Sequence, residues 1–501
     1  MREHRDVLIV FVAVALHAVS LIPYVQYTPD DTFIHLQFAK NLVAGHGFSF
    51  NAGEPTYGST SPLWVLTLSL FGFFSKSLLT LSKVLGVLFA LGSIVLFFPL
   101  AKEFNEDRRF VCACVIVWSV DAWFLRWAPS GMETALALFL LVLALLLYVR
   151  ERRVEKRFFL SPVLFGLLTL VRPEAALLFG LSAVDAMCLG RRSVWRIVVS
   201  VATYAAILAP WFLFAQFEFG TVVPNTFIAK GGSVPVDLST WFASALKATE
   251  TVVSNQLMEM LLVLAGAVFI VKQHGFQFEF YKRSVRHFLA AAWVVLLPSV
   301  YVISGLPIVS RYLLLITPPL ILLAFLALST ICLHLRLRRS IVSALVTGVV
   351  IMIVAQNTVV SWSVIRPHVR SFERAMKECF IPIGQWFAEE TPSETVIAAR
   401  DIGALGYYSE RKVVDLGGLV TPEVHPWLKE YSPEELTDRY PSLGLQLPRA
   451  DYIVYRSKTE DKIGDVAAFY DPIFTKSVAS LGISDTPGET YYTVCRITWH
   501  P

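Results

Sequence analysis

The chain has 501 residues, 55% of them hydrophobic and 16% charged, with a formal net charge of +4. A soluble domain carries about 25% charged residues, so this composition excludes an ordinary soluble protein and points to a membrane protein. Six cysteines without CxxC spacing exclude a disulfide scaffold and a zinc site, and no pattern for binding nucleic acid is present.

A bilayer span needs about 20 apolar residues. Eleven are predicted, near 7–25, 78–100, 110–127, 133–149, 158–172, 174–189, 197–217, 257–271, 288–304, 312–332 and 341–363. The first has basic residues before it and no small-x-small cleavage site after it, so it reads as a retained signal-anchor. A polar stretch follows, from Pro29 to Trp64. Within it, Phe33, Leu36, Ala39 (or Lys40) and Val43 recur at helical spacing, with His35 and Asn41 off that stripe. This predicts a helix over Thr32–Ala44 lying on the membrane and stopped by Gly45. Ser61–Phe74 is apolar over only about fourteen residues, which predicts a second interfacial helix rather than a span. The short pair 158–172 and 174–189 predicts a hairpin turning at Arg172–Pro173.

Charge checks the count. If 61–74 does not cross, 20 Lys and Arg fall in loops on one side, and six on the other before the C-terminal region: Lys40, Lys76, Arg172, Lys230, Lys247 and Arg311. Counting 61–74 as a span inverts this bias. The positive-inside rule then puts the N-terminus in the cytoplasm and the C-terminal region outside the cytoplasmic membrane.

After about residue 364 the hydropathy changes. Ser371–Glu390 reads as an amphipathic helix, and TVIAAR, KVVDL, DYIVYR and YYTVCRITW as strands between turns. The expected organisation is a transmembrane domain over 1–363 and a small extracytoplasmic α/β domain over 364–501, of unreadable sheet order. Cys379 and Cys495 either pair there or stand as separate small apolar residues. The spacing of Gly403, Gly406, Gly417 and Gly418 is wrong for a GxGxxG nucleotide loop and suggests tight turns.

Several motifs recur in order: Asp30-Asp31 followed by GHGFSFNAGEPTYGSTSPLW, then PSGMETAL from Pro129, LVRPEAALL from Leu170, PNTFIAK from Pro224, SRYLL from Ser310 and DIGALGYYSERKVVDLGGL from Asp401. Together they resemble the GT-C glycosyltransferases, polytopic enzymes using polyprenyl-phosphate sugars. The nearest resemblance is to the subgroup containing mycobacterial terminal arabinofuranosyltransferases; lipid A aminoarabinose transferases and protein O-mannosyltransferases are more distant. The resemblance implies a GT-C fold of about 11 transmembrane helices, interfacial helices in the first outer loop, and transfer of a sugar to a cell-envelope glycan, lipid or protein acceptor with inversion. Donor and membrane lipid are the implied partners.

Such a transfer needs a base for the acceptor hydroxyl and positive charge, hydrogen bonds or a metal for the departing phosphate. The resemblance places an acid at the position of Asp30, the first candidate base. Asp31 is the second, or a metal ligand; either also suits a helix N-cap. Glu133, where relatives carry an acid, binds acceptor or metal or opens the next helix. Arg172, Lys230 and Arg311 are candidate phosphate ligands, or snorkelling cations. Glu174 either joins the substrate site or pairs with Arg172. Glu54, Tyr57, Ser59, Thr60 and Asn225 are candidate substrate ligands. The cofactor is open: a divalent cation held by Asp30, Asp31 or Glu133 is possible, with His35 and His46 as weak additions. The alternative activity is a lipid-linked-saccharide flippase or transporter, for which paired half-helices or internal symmetry are expected; none is visible. A third reading is a non-catalytic sensor.

Overall fold

A computed structural model describes residues 2–153, 160–188, 194–231, 238–274, 287–306, 308–459, 468–479 and 488–499. Several basic loop residues behind the orientation, among them Arg191, Arg192, Lys282, Arg283 and Arg286, lie outside the described residues.

Helices stand at every expected span. They are α1 (Arg2–Leu21), α4 (Leu78–Phe104), α5 (Arg108–Ser119), α6 (Ala122–Trp127), α7 (Thr134–Arg153), α8 (Ser161–Val171), α9 (Ala176–Cys188), α10 (Val194–Phe219), α12 (Leu238–His274), α13 (Phe288–Ser304), α14 (Ser310–His334) and α15 (Arg339–Glu390), with α2 (Asp30–Val43), α3 (Pro62–Gly72) and α11 (Asn225–Gly231) between them. Among the described residues, seven helices are long and apolar enough to cross a membrane: α1, α4, α7, α10, α12, α14 and α15. With these helices the chain is a multi-pass membrane protein.

Two of the expected spans differ in form. The span 110–127 is broken at Val120–Asp121, because Asp121 caps α6 by accepting from Phe124 N at 2.8 Å. Its other oxygen takes Asn255 Nδ2 at 2.7 Å and Gln256 Nε2 at 2.9 Å, where α12 kinks. A polar knot thus replaces the straight helix. The last span does not stop near 363 but runs on through the expected amphipathic helix to Glu390. Two π turns, Ser361–Ile365 and Met376–Phe380, directly precede the segments holding Pro367 and Pro382. The wider turn accommodates a residue with no N–H to give. The expected boundary at 363/364 therefore falls inside a continuous helix.

α3 has 11 residues, about 16 Å at 1.5 Å per residue, too short to cross. A contact settles the point independently. Thr32 donates to the Ser130 carbonyl at 3.0 Å, so α2 and the turn between α6 and α7 meet at one end of the bundle; α4 and the α5–α6 pair carry the chain away and back, which leaves no crossing for α3. α2 is more deeply buried than a one-faced interfacial helix, because the C-terminal domain covers its other side.

That domain holds one five-stranded sheet of order β2-β1-β3-β5-β4. The strands are β1 (Val396–Ala399), β2 (Lys412–Asp415), β3 (Tyr452–Ser457), β4 (Tyr470–Ala479) and β5 (Glu489–Ile497), with α16 (Gly403–Ser409) between the first two and α17 (Pro433–Arg439) before β3. β2, β1 and β3 are parallel; β3, β5 and β4 are antiparallel. Four strands match the sequence reading. β4 does not: it is an exposed edge strand with Pro472 at a bulge, the place where a sheet tolerates proline. Alternation sends Ile397, Ala399 and Val494 into the core shared with the bundle, and Ala398, Ile453 and Cys495 into a second core on the other face. Cys379 packs in the first core and Cys495 in the second, both as free thiols. The pairing considered for them is not made.

Candidate active site

The loops expected on one face converge on a cavity of about 380 Å³. Its polar lining is Asp31, His35, Ser59, Thr60, Glu133, Arg172, Glu174, Thr226, Tyr301, Arg311 and Tyr312; its apolar lining includes Ile34, Met132, Leu177, Phe227, Leu306 and Leu419.

The two acids open α2 after Pro29, which is extended. Successive helical residues point about 100° apart, so the carboxylates diverge. Asp31 lines the cavity and meets Arg311 Nη2 at 2.5 Å. Asp30 turns to the C-terminal domain: Oδ2 accepts from Gly403 N and Oδ1 from Ala404 N, each at 2.8 Å. Burial, then the charge of Asp401, raises the Asp30 carboxyl to about 7, against the lowering effect of the two N–H groups.

Glu133 is 2% exposed. Arg172 Nη2 lies 2.6 Å from one of its oxygens and His35 Nε2 3.3 Å from the other. Burial pushes this carboxyl up, but the Arg172 guanidinium and then His35 outweigh burial and hold it well below the usual range. Arg172 also lies 3.8 Å from Glu174, which accepts from Tyr301 Oη at 2.9 Å. Ser59 Oγ sits 3.3 Å from His35 Nδ1. Arg311 stacks over Trp127 and Tyr312, at 5.5 and 5.1 Å to the ring centres. Its Nε is buried without a hydrogen-bond partner among the described residues. Three carboxylates thus face two guanidiniums. Glu133, Arg172 and Glu174 pair their charges with one another, although Arg172 Nε and Nη2 and Glu133 Oε2 are also buried without a hydrogen-bond partner among the described residues; Arg311 holds one carboxylate that is 44% exposed.

Some expected ligands lie elsewhere. Glu54 is exposed and pairs with Lys412. The Tyr57 hydroxyl accepts from Trp211 Nε1 at 2.7 Å, within an aromatic cluster. Asn225 ties Thr56 Oγ1, at 3.1 Å, to the Leu419 carbonyl, at 3.3 Å, and holds the cavity rim together. Lys230 belongs to α11, and its side chain lies outside the described residues. His46 is exposed. Among the described residues no group of three or more His, Cys, Asp or Glu is arranged to hold a metal: Asp30 faces backbone N–H groups, and Glu133 faces Arg172 and His35. Tyr301, Tyr312 and Leu419 were missed; Tyr312 adjoins Arg311 in SRYLL, and only the folded domain brings Leu419 here.

Such a cavity can hold an apolar chain, keep an anion at Arg311 and offer a carboxylate to a hydroxyl. A family model described as "Domain of unknown function (DUF8728)" matches residues 368–495. Over 223 residues, 41% of the chain, the sequence is 30% identical to the terminal beta-(1->2)-arabinofuranosyltransferase of Mycobacterium tuberculosis. The match spans about a third of that relative, 35% of its length. The fold is similar to that of ArnT from Cupriavidus metallidurans in the apo state, with TM-score 0.62, 13% identity and 98% of both chains covered. ArnT bound to undecaprenyl phosphate is also similar, with TM-score 0.55, 14% identity and 97% of both chains covered.

Proposed function

We propose that this chain, which has a GT-C fold, is a membrane glycosyltransferase. It moves a sugar from a polyprenyl-phosphate donor to a hydroxyl of a cell-envelope glycan, lipid or protein. The observation that carries the reading is the cavity in which Asp31 and Arg311 face each other. Similarity to an arabinofuranosyltransferase, and to a fold solved with undecaprenyl phosphate, supports the donor class. The first of these similarities favours a pentose as the donor sugar.

In the proposed reaction Asp31 takes the proton of the acceptor hydroxyl. The acceptor oxygen bonds to the anomeric carbon from the face opposite the phosphate, so the configuration inverts. The anomeric C–O bond breaks with its electron pair on the phosphate oxygen. Arg311 receives the charge that grows there, the stage at which a fixed cation lowers the barrier. The prenyl chain lies along the apolar lining. Arg311 is held by Asp31 in the free protein, so donor phosphate takes the carboxylate's place and frees Asp31 for the acceptor.

The proposed setting is the outer face of the cytoplasmic membrane, with residues 1–363 as the transmembrane part and 364–501 as the extracytoplasmic part joined to it through α15. Cysteine at Lys76 is expected to react with a membrane-impermeant maleimide in intact cells, and cysteine at Arg338 only after permeabilisation. Labelling of position 338 from outside overturns the orientation.

Reconstituted protein with radiolabelled donors tests the activity. Transfer from a polyprenyl-phosphate sugar, and none from a nucleotide sugar, is expected. The opposite preference refutes the reading, and movement of the intact lipid-linked sugar across the bilayer makes the protein a flippase. Mass spectrometry of envelope glycans with and without the protein identifies sugar and acceptor.

A further inference from the structure

We infer that the C-terminal domain, whose family model carries no function, is a working part of the cavity: it fixes the start of α2, so aiming Asp31, and it supplies one wall. This rests on the reading of Asp31 given above.

The two parts are joined backbone to backbone. A Cβ at Gly403 would lie 2.0 Å from the Asp30 carbonyl oxygen and 2.7 Å from Asp30 Oδ2. A Cβ at Gly406 would lie 2.4 Å from the Phe50 ring. On the opposing side, a Cβ at Gly58 would lie 2.7 Å from Val420 and 2.8 Å from the Leu419 carbonyl. Gly403 and Gly406 thus permit close approach, rather than the tight turns that their spacing suggested. Side chains lock the same seam. Asn51 pairs both ways with the Val413 backbone, at 2.9 and 3.0 Å, and so covers the open edge of β2. Phe33 packs on Tyr407 and Tyr408, with ring centres 5.6 and 5.4 Å apart, and Lys40 meets Glu410 at 2.9 Å.

The wall is built as firmly. Asp415 is fully buried. It accepts from Gly417 N at 2.8 Å, Leu419 N at 2.5 Å and Val420 N at 3.1 Å. That carboxylate winds residues 415–420 into a fixed loop whose tip is Leu419, which lines the cavity beside Gly58 and Thr226. Asp30 and its two N–H partners are outside the cavity lining, so Asp30 is a positioning residue. The adjacency of the acids gives it leverage: a shift at Asp30 rotates Asp31 about the same helix axis. Arg311 belongs to the bundle, so phosphate binding does not need the domain in register.

The test uses the reconstituted full chain with polyprenyl phosphate as the binding probe and transfer as the rate. Gly403→Ala forces the seam apart and is expected to lower kcat about 10–100-fold, the cost of a roughly 1 Å misplacement, with polyprenyl phosphate bound no more weakly than by wild type, since Asp31 competes with it for Arg311. Unchanged kcat overturns the inference, as does loss of kcat and phosphate binding together with a lowered Tm. Leu419→Trp guards against simple unfolding: it narrows the wall without touching the Asp30–Gly403 contact and is expected to raise the acceptor KM with phosphate binding intact. An unchanged acceptor KM overturns the wall. If wild-type protein neither binds polyprenyl phosphate nor transfers sugar, the reading of the site fails instead.

Discussion

Asp31→Asn is expected to cost about 10²–10⁴ in kcat, the usual worth of a general base, while the protein folds and inserts normally. Asparagine keeps the size and one acceptor oxygen but cannot take the acceptor's proton. The same substitution has an opposite effect on the leaving group's site. Asp31 meets Arg311 at 2.5 Å in the free protein, so an incoming phosphate must displace it. Without that charge, polyprenyl phosphate is expected to bind up to about tenfold tighter, the lower end of what a hydrogen bond to a charged group contributes, since Asp31 is partly exposed and screened. Isothermal titration with polyprenyl phosphate, beside the transfer assay, reads both effects. Asp30→Asn is expected to loosen the seam at Gly403 and Ala404 and not to weaken that affinity. Wild-type turnover in folded Asp31→Asn, with the loss confined to folded Asp30→Asn, would transfer the base to Asp30, the first choice from sequence resemblance.

That choice shows where the sequence stops. Features set by neighbours in the chain were legible: the apolar segments, the short α3, the hairpin at Arg172–Pro173 and four strands all follow from hydropathy, period and turn residues. The loops that the charge bias groups on one face do meet in one cavity. Features set by partners far along the chain were not. Which of two adjacent acids faces the cavity depends on a domain more than 370 residues away. Asp121 reads as one polar residue in an apolar run until Asn255 and Gln256 are seen holding it. Glu54 and Tyr57 share a loop with Ser59 and Thr60, yet Lys412 and Trp211 draw them elsewhere. The strand over Tyr470–Ala479 was not read at all: it holds Asp471 and Pro472 and is an exposed edge paired only with β5.

The two arginines of the cavity separate by the same reasoning, and their substitution is expected to give different failures. Arg172 neutralises Glu133, itself 2% exposed, at 2.6 Å and lies against Glu174 as well. Removing one partner of a buried pair leaves an uncompensated charge, which costs about 3–5 kcal/mol. Arg172→Gln is therefore expected to lower Tm and yield before its donor affinity can be read. Arg311 has one partly exposed carboxylate, an unpartnered Nε and two aromatic faces that hold its guanidinium in place. Arg311→Gln is expected to fold and to raise the donor's KM by tenfold or more, since a hydrogen bond to a charged group is worth about 1.5–3 kcal/mol. Its kcat should fall too, because the phosphate's charge grows as the C–O bond breaks, and among the described residues the other cavity cation, Arg172, is held by two carboxylates. Thermal unfolding and donor kinetics on both variants decide the assignment. A stable Arg172→Gln that has lost the donor, beside a silent Arg311→Gln, would exchange the two roles and place the phosphate at the Glu133 end of the cavity.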